Sequence, residues 1–222
     1  MSSPEQVPAP QVLVRGEAVV EADPELADIG VTVRARARDR QTALERCRAA
    51  QDRVVAIAAA AGGAIGSVET TAVSVHLEVR DRRVPGEPVA SVHTRLTVIR
   101  LDAVGDLVVA LGRLDDVEVS GPVWRLRPDS PAAERARMDA VRDAVHRARQ
   151  YAAAFGAELT ALLEVRDAGS GGGLQVAASM ASMARFEDSE LHLDLTPPRQ
   201  EVHGAVEVRF AMSEPDREVF RG

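Results

Sequence analysis

The chain predicts an α+β fold, an antiparallel-rich sheet with two long helices packed on one face, and three observations carry the prediction. Several short runs alternate apolar with polar residues, the sign of half-buried strands. Two longer segments, near 40–62 and 130–156, space their apolar residues by three and four, the sign of amphipathic helices. The runs follow the order strand, strand, helix, strand, strand, helix, strand, long helix, strand, Gly-rich insert, strand, with no internal repeat.

The opening strands are marked by Val12 and Val14 and then by Ile29, Val31 and Val33, with Asp23-Pro24 as the turn between them. Asp39 is placed to cap a helix over Arg40 to Ala61, whose apolar stripe is Leu44, Cys47, Val54, Ile57, Ala58 and Ala61 and whose stop is Gly62-Gly63. Cys47 falls on that stripe, where a free thiol acts as a small buried hydrophobe. Val73, Val75, Leu77 and Val79 alternate, and after the turn-rich segment 81–88 so do Val92, Thr94, Leu96 and Val98. A symmetric hairpin would set Leu77 opposite Val92, Val73 opposite Leu96 and, on the other face, His76 opposite His93. Asp102 is placed to cap a short helix bearing Val104, Leu107, Val108 and Leu111, and a strand over Val117–Leu126 is interrupted at Gly121-Pro122. Ser130-Pro131 opens the clearest helix, with Met138, Val141, Val145, Ala148, Ala152 and Phe155 on one stripe and Gly156 as stop. Its other face pairs Arg135 with Asp139 and Asp143 with Arg147, four apart. Leu159–Val165 and the run Val202, Val206, Val208, Phe210 and Met212 supply the last strands. The organisation is a tail at 1–10, one domain over 11–212 with an insert at 168–199, and a polar tail at 213–222.

Composition narrows function. The 222 residues hold 27 Lys+Arg against 34 Asp+Glu, a net charge of −7, and 45% are hydrophobic. Every basic residue is arginine, and the acidic excess argues against a nucleic-acid partner. Aromatics at 3% leave little for base stacking. Without lysine the phosphate loop that ends in Gly-Lys-Ser/Thr is excluded. One cysteine rules out an internal disulfide. The longest apolar run, Val54 to Ala61, is far short of the roughly 20 residues of a transmembrane helix. The first ten residues lack the pattern of a secretory leader, which predicts a cytoplasmic location.

Taken in order, these features resemble the SIMPL-domain family, bacterial proteins grouped as a domain of unknown function and including periplasmic immunogenic and oxidative-stress-linked members. The resemblance is carried by Val12-x-Val14-x-Gly16 with Asp23-Pro24-Glu25-Leu26-Ala27 after it, and by the long helix ending in Gly. The pattern Ala136, Ala140-Val141, Ala144, Ala148, Ala152, Phe155-Gly156 and the final strand after a Pro-containing turn complete it. Asp23-Pro24-Glu25 departs from the family's usual Pro-Asp opening. The resemblance implies a non-enzymatic protein that self-associates, in some members into ring-like assemblies, with a role in stress tolerance or envelope biology.

Two functions compete. The first is an assembly module forming a homo-oligomer, with no metal and no cofactor. Its candidate interface is Leu174, Val176, Met180, Met183 and Phe186, sizeable apolar side chains that a Gly169–Gly173 linker would carry to a neighbouring subunit unless they fold back on their own domain. The second is a small-ligand binder or enzyme built from His76, His93, His192 and His203 with Glu78, Asp194 and Glu201.

Overall fold

The computed structural model describes residues 9–78, 86–168 and 193–221. Among these described residues, seven strands, all paired antiparallel, and three α-helices give the expected α+β class. The strands are shared between two sheets, with one long helix to each, in two compact units. Of the described residues, the terminal unit holds 9–22, 128–168 and 199–221 and the central unit 23–78, 86–127 and 193–198.

The terminal unit holds β1 (Gln11–Ala22), α3 (Pro131–Ala154), β6 (Leu159–Asp167) and β7 (Gln200–Met212), with sheet order β1-β7-β6. Ser130 caps α3, its side chain accepting from the Ala132 N–H, and Pro131 follows at the first turn. The helix ends at Gly156, whose φ of +66° suits glycine. What α3 buries differs from the expected stripe. Ala132, Ala133, Ala136, Ala140, Ala144, Ala148 and Ala152 face inward, while Met138 and Val141 are exposed and Val145 is partly buried. The cause is in the sheet beneath. A Cβ on Gly16 would lie 2.1 Å from the Ala140 carbonyl oxygen, and one on Gly204 would lie 2.2 Å from that of Ala136. The helix backbone rests on the strands, and only alanine fits the contact. Val14, Val206, Val208 and Phe210 fill the space on either side. On one flank of α3, Asp143 accepts the Glu17 N–H at 3.0 Å and pairs with Arg147 at 3.1 Å, and Arg147 donates to the Arg15 carbonyl. Asp139 pairs with Arg142 at 2.7 Å, in place of the Arg135 partner expected from spacing. Near the C-terminus, Phe220 in the 3₁₀ turn Arg217–Arg221 stacks on Phe155, centroids 6.3 Å apart.

The central unit holds β2 (Leu26–Arg36), α1 (Arg40–Ala60), β3 (Ile65–Leu77), β4 (Pro88–Val98), α2 (Val104–Gly112) and β5 (Val117–Arg125), with sheet order β3-β4-β2-β5. Asp39 caps α1 as expected: one carboxylate oxygen accepts the Thr42 N–H at 2.9 Å and the other the Thr42 hydroxyl at 2.8 Å. The helix buries Ala43, Cys47, Ala50, Val54 and Ala58 over Ile29, Val31, Val33, Leu96 and Val98. Leu44, expected on this stripe, is exposed. Val104, Leu107 and Leu111 of α2 close the core beside α1. Asp102 does not cap α2: it sits in the 3₁₀ turn Leu101–Ala103, and the residue before the helix, Ala103, offers no side-chain acceptor. At Gly121, where φ is +98°, β5 departs from regular pairing, and its register against β2 shifts between Asp28 and Gly30.

The β3–β4 register is four residues from the symmetric one. Leu77 lies opposite Pro88, Val73 opposite Val92, His76 opposite Val89 and His93 opposite Ala72. The two histidines share a face but are separated along the strands by about 13 Å. Pairing against β2 fixes β4 on its other side, with Ile29 opposite Leu96 and Val33 opposite Val92, so the core, rather than the turn, positions β4.

Candidate interaction surface

Among the described residues β3 is an end strand of the central sheet. Val68 pairs with Leu96, Val73 with Val92, Val75 with Ala90 and Leu77 with Pro88, so all four side chains share the face that elsewhere packs under α1. That helix lies chiefly over β4 and β2. All four are exposed, Val73 at 64% and Leu77 at 49%.

The flank of α1 nearest β3 is marked by Gln51, whose Nε2 donates to the Thr94 hydroxyl at 2.9 Å; Thr94 lies opposite Thr70 of β3. Leu44 and Val55, seven residues before and four after Gln51, stand on that flank, and both are exposed. Six apolar side chains thus border one open edge. The sequence around them is unusual for such a position: Thr70 to Leu77 contains no Asp, Glu, Arg, Pro or Gly. Natural sheets blunt open edges with charge, proline or bulges, and beyond the irregularity at Thr70/Ala72 this strand has none of these from Ala72 onward.

The terminal unit offers a contrasting edge. On β6, Leu162 and Val165 pair with Phe210 and Val208, which face α3, yet both are exposed, as are Met138 and Val141 of α3. Here the strand also carries Glu164, Arg166 and Asp167. Glu164 pairs with Arg166 at 2.6 Å and with Arg209 at 3.5 Å, so this edge is charged and already engaged.

The histidines do not converge. His76 and His93 stand apart on the outer face of the central sheet, where the His93 ring accepts from or donates to the Thr32 hydroxyl at 3.0 Å. Beside them Glu78 pairs with Arg34 at 2.9 Å and with Arg36, which neutralises the acid that would have served His76. His203 is in the terminal unit, 3.7 Å from Glu201 and exposed. His192 lies outside the described residues, as do Leu174, Val176, Met180, Met183, Phe186 and the Gly169–Gly173 linker. Asp194 is described but outside any helix or strand. Among the described residues no three His, Cys, Asp or Glu side chains gather as a metal site would require. Cys47 is on the buried face of α1, and burial, then the charge of Asp116, pushes its thiol pKa up, the reverse of what activates a nucleophilic cysteine.

The site and fold together define a class: an α+β protein of antiparallel sheets whose distinctive surface is an apolar sheet edge. Residues 12–210 match the model of the SIMPL family, described as a protein of unknown function (DUF541), and the chain belongs to that family. No curated protein matches the chain. No helix among the described residues is long and apolar enough to cross a membrane.

Sequence reasoning missed the β3 edge because alternation marks a strand without saying which of its faces is covered. The signal that could have found it is the eight-residue uncharged run between Glu69 and Glu78.

Proposed function

We propose that the protein is a non-enzymatic assembly module that self-associates and acts as a scaffold, with a role in stress tolerance. The observation that carries the self-association is the β3 edge among the described residues, a strand without charge from Thr70 to Leu77 and with Val68, Val73, Val75 and Leu77 exposed on it. Such an edge is a template for pairing with another chain, and leaving it bare costs solubility. The non-enzymatic reading is supported by the dispersal of His76, His93 and His203 and by the buried, unactivated Cys47. Support for the stress-linked role is the resemblance to family members of that kind.

The test is the mass in solution. Sedimentation velocity and light scattering, from low micromolar to near-millimolar protein, should show mass rising above the 23.7 kDa of one chain. A mass that stays at one chain across that range would refute self-association.

A further inference from the structure

We propose that two copies of the chain pair edge to edge through β3, antiparallel about a two-fold axis at Val75, an inference that rests on the self-association reading and gives it a surface and a register.

The backbone sets which residues can pair. The Glu78 N–H donates to the Glu87 carbonyl at 3.0 Å, so residues 72, 74, 76 and 78 direct their peptide groups at β4. Val73, Val75 and Leu77 therefore turn theirs to the open edge. An added antiparallel strand must bond to those three.

A second β3 meets that demand in one register with its own sequence. With Val75 opposite Val75 of the second copy, Val73 falls opposite Leu77 and Leu77 opposite Val73. The three uncovered apolar side chains then pair only with one another. On the outer face Ser74 meets His76 and Ala72 meets Glu78, so across residues 72–78 no like charges are opposed. The chain carries a net charge of −7, which gives two copies a net repulsion. Thr70 to Leu77 has neither acid nor arginine and brings no charge of its own to such an approach.

The symmetry also accounts for the bare flank of α1. An isologous pair of this kind puts both helices on the same side of a continuous eight-stranded sheet. The apolar rows of the two β3 strands then lie between Leu44 and Val55 of one copy and the same residues of the other. Size predicts strength. Standard interfaces use 20–30 residues a side for about 800 Å², so the dozen or so residues available here correspond to about 400 Å² per copy. That is a weak, concentration-dependent dimer. The β6 edge, with Glu164, Arg166 and Asp167 on it, fits the same role less well.

The test combines two kinds of variant, both at exposed positions so that folding is retained. Val73→Lys with Val75→Lys should weaken self-association at least about tenfold, with the thermal midpoint unchanged. Val75→Cys should form a disulfide-linked dimer under mild oxidation, since residues directly opposite in antiparallel strands are about 5.5 Å apart at Cα, a spacing disulfides adopt. Leu162→Cys, similarly exposed on β6, sets the rate of chance cross-linking. If the wild type associates but the lysine variant associates equally, or Val75→Cys cross-links no faster than Leu162→Cys, the β3 pairing is wrong while self-association stands. If the wild type is monomeric at every concentration, both fall.

Discussion

In the terminal unit the alanine face of the long helix lays its backbone on two sheet glycines; in the central unit a similarly small helix face rests on valine, leucine and isoleucine side chains of its sheet. Ala136, Ala140 and Ala144 sit with their backbone against Gly16 and Gly204, where not even one added carbon would fit. Under α1 the sheet supplies Ile29, Val31, Val33, Leu96 and Val98 against a helix face of Ala43, Cys47, Ala50, Val54 and Ala58. The first interface is held by closeness and the second by apolar volume. The two should therefore fail in opposite ways, one when atoms are added and the other when they are removed.

The largest effect expected is from Gly16→Val. Its Cβ would fall 2.1 Å from the Ala140 oxygen and 2.5 Å from the Ala144 nitrogen, both backbone, so the helix itself must shift. A loss of about 4 kcal/mol or more is expected in urea denaturation, and a loss under about 1 kcal/mol would show that α3 is not held by close contact. Next comes Leu96→Ala, which empties a fully buried site in the central unit; about 2–5 kcal/mol is expected by the same measurement.

A smaller effect concerns the caps. Asp39 has its carboxyl pKa lowered from 3.8, first by the Thr42 N–H and then by the Thr42 hydroxyl. A group whose pKa is depressed on folding contributes stability above its unfolded value and loses it as pH falls through the folded one. Asp39→Asn keeps an acceptor at the helix start but removes the titration, so its stability should fall less than the wild type's between about pH 5 and pH 3. Identical slopes would remove Asp39 from the account. The smallest effect is from Met138→Gln, on the exposed flank of α3, where a change within about 0.5 kcal/mol is expected by thermal unfolding. A larger loss would mean that Met138 is covered in solution and that the terminal unit also has a partner surface.

Much of this was legible in the residues. Period-two runs located the strands, Asp39 and Ser130 marked the helix starts, and Gly62 and Gly156 marked the stops, because capping and left-handed turns are local chemistry. The helix faces were less so. Size and spacing put Met138 and Val141 on the apolar stripe of α3, yet both are exposed. Gly16 and Gly204, remote in sequence, reverse that preference by bringing the backbones together. Cross-strand pairing failed for a similar reason. The His76–His93 match assumed that the turn set the register, whereas β4 is fixed from its far side by β2. The partition of the strands between two sheets also depends on pairings such as Val12 with Phe210, which span almost the whole chain and leave no local trace. For the surface, the uncharged stretch from Thr70 to Leu77 was visible, but its exposure was not, since coverage depends on where α1 comes to rest.

The central claim is that β3 is the edge at which copies meet, and amide hydrogen exchange as a function of protein concentration tests it most directly. The N–H groups of Val73, Val75 and Leu77 point to the open edge and should exchange freely in dilute protein, then slow as concentration rises, while β6 amides are unaffected. Exchange at these three residues that is independent of concentration, or concentration-dependent protection confined to β6, would contradict the account.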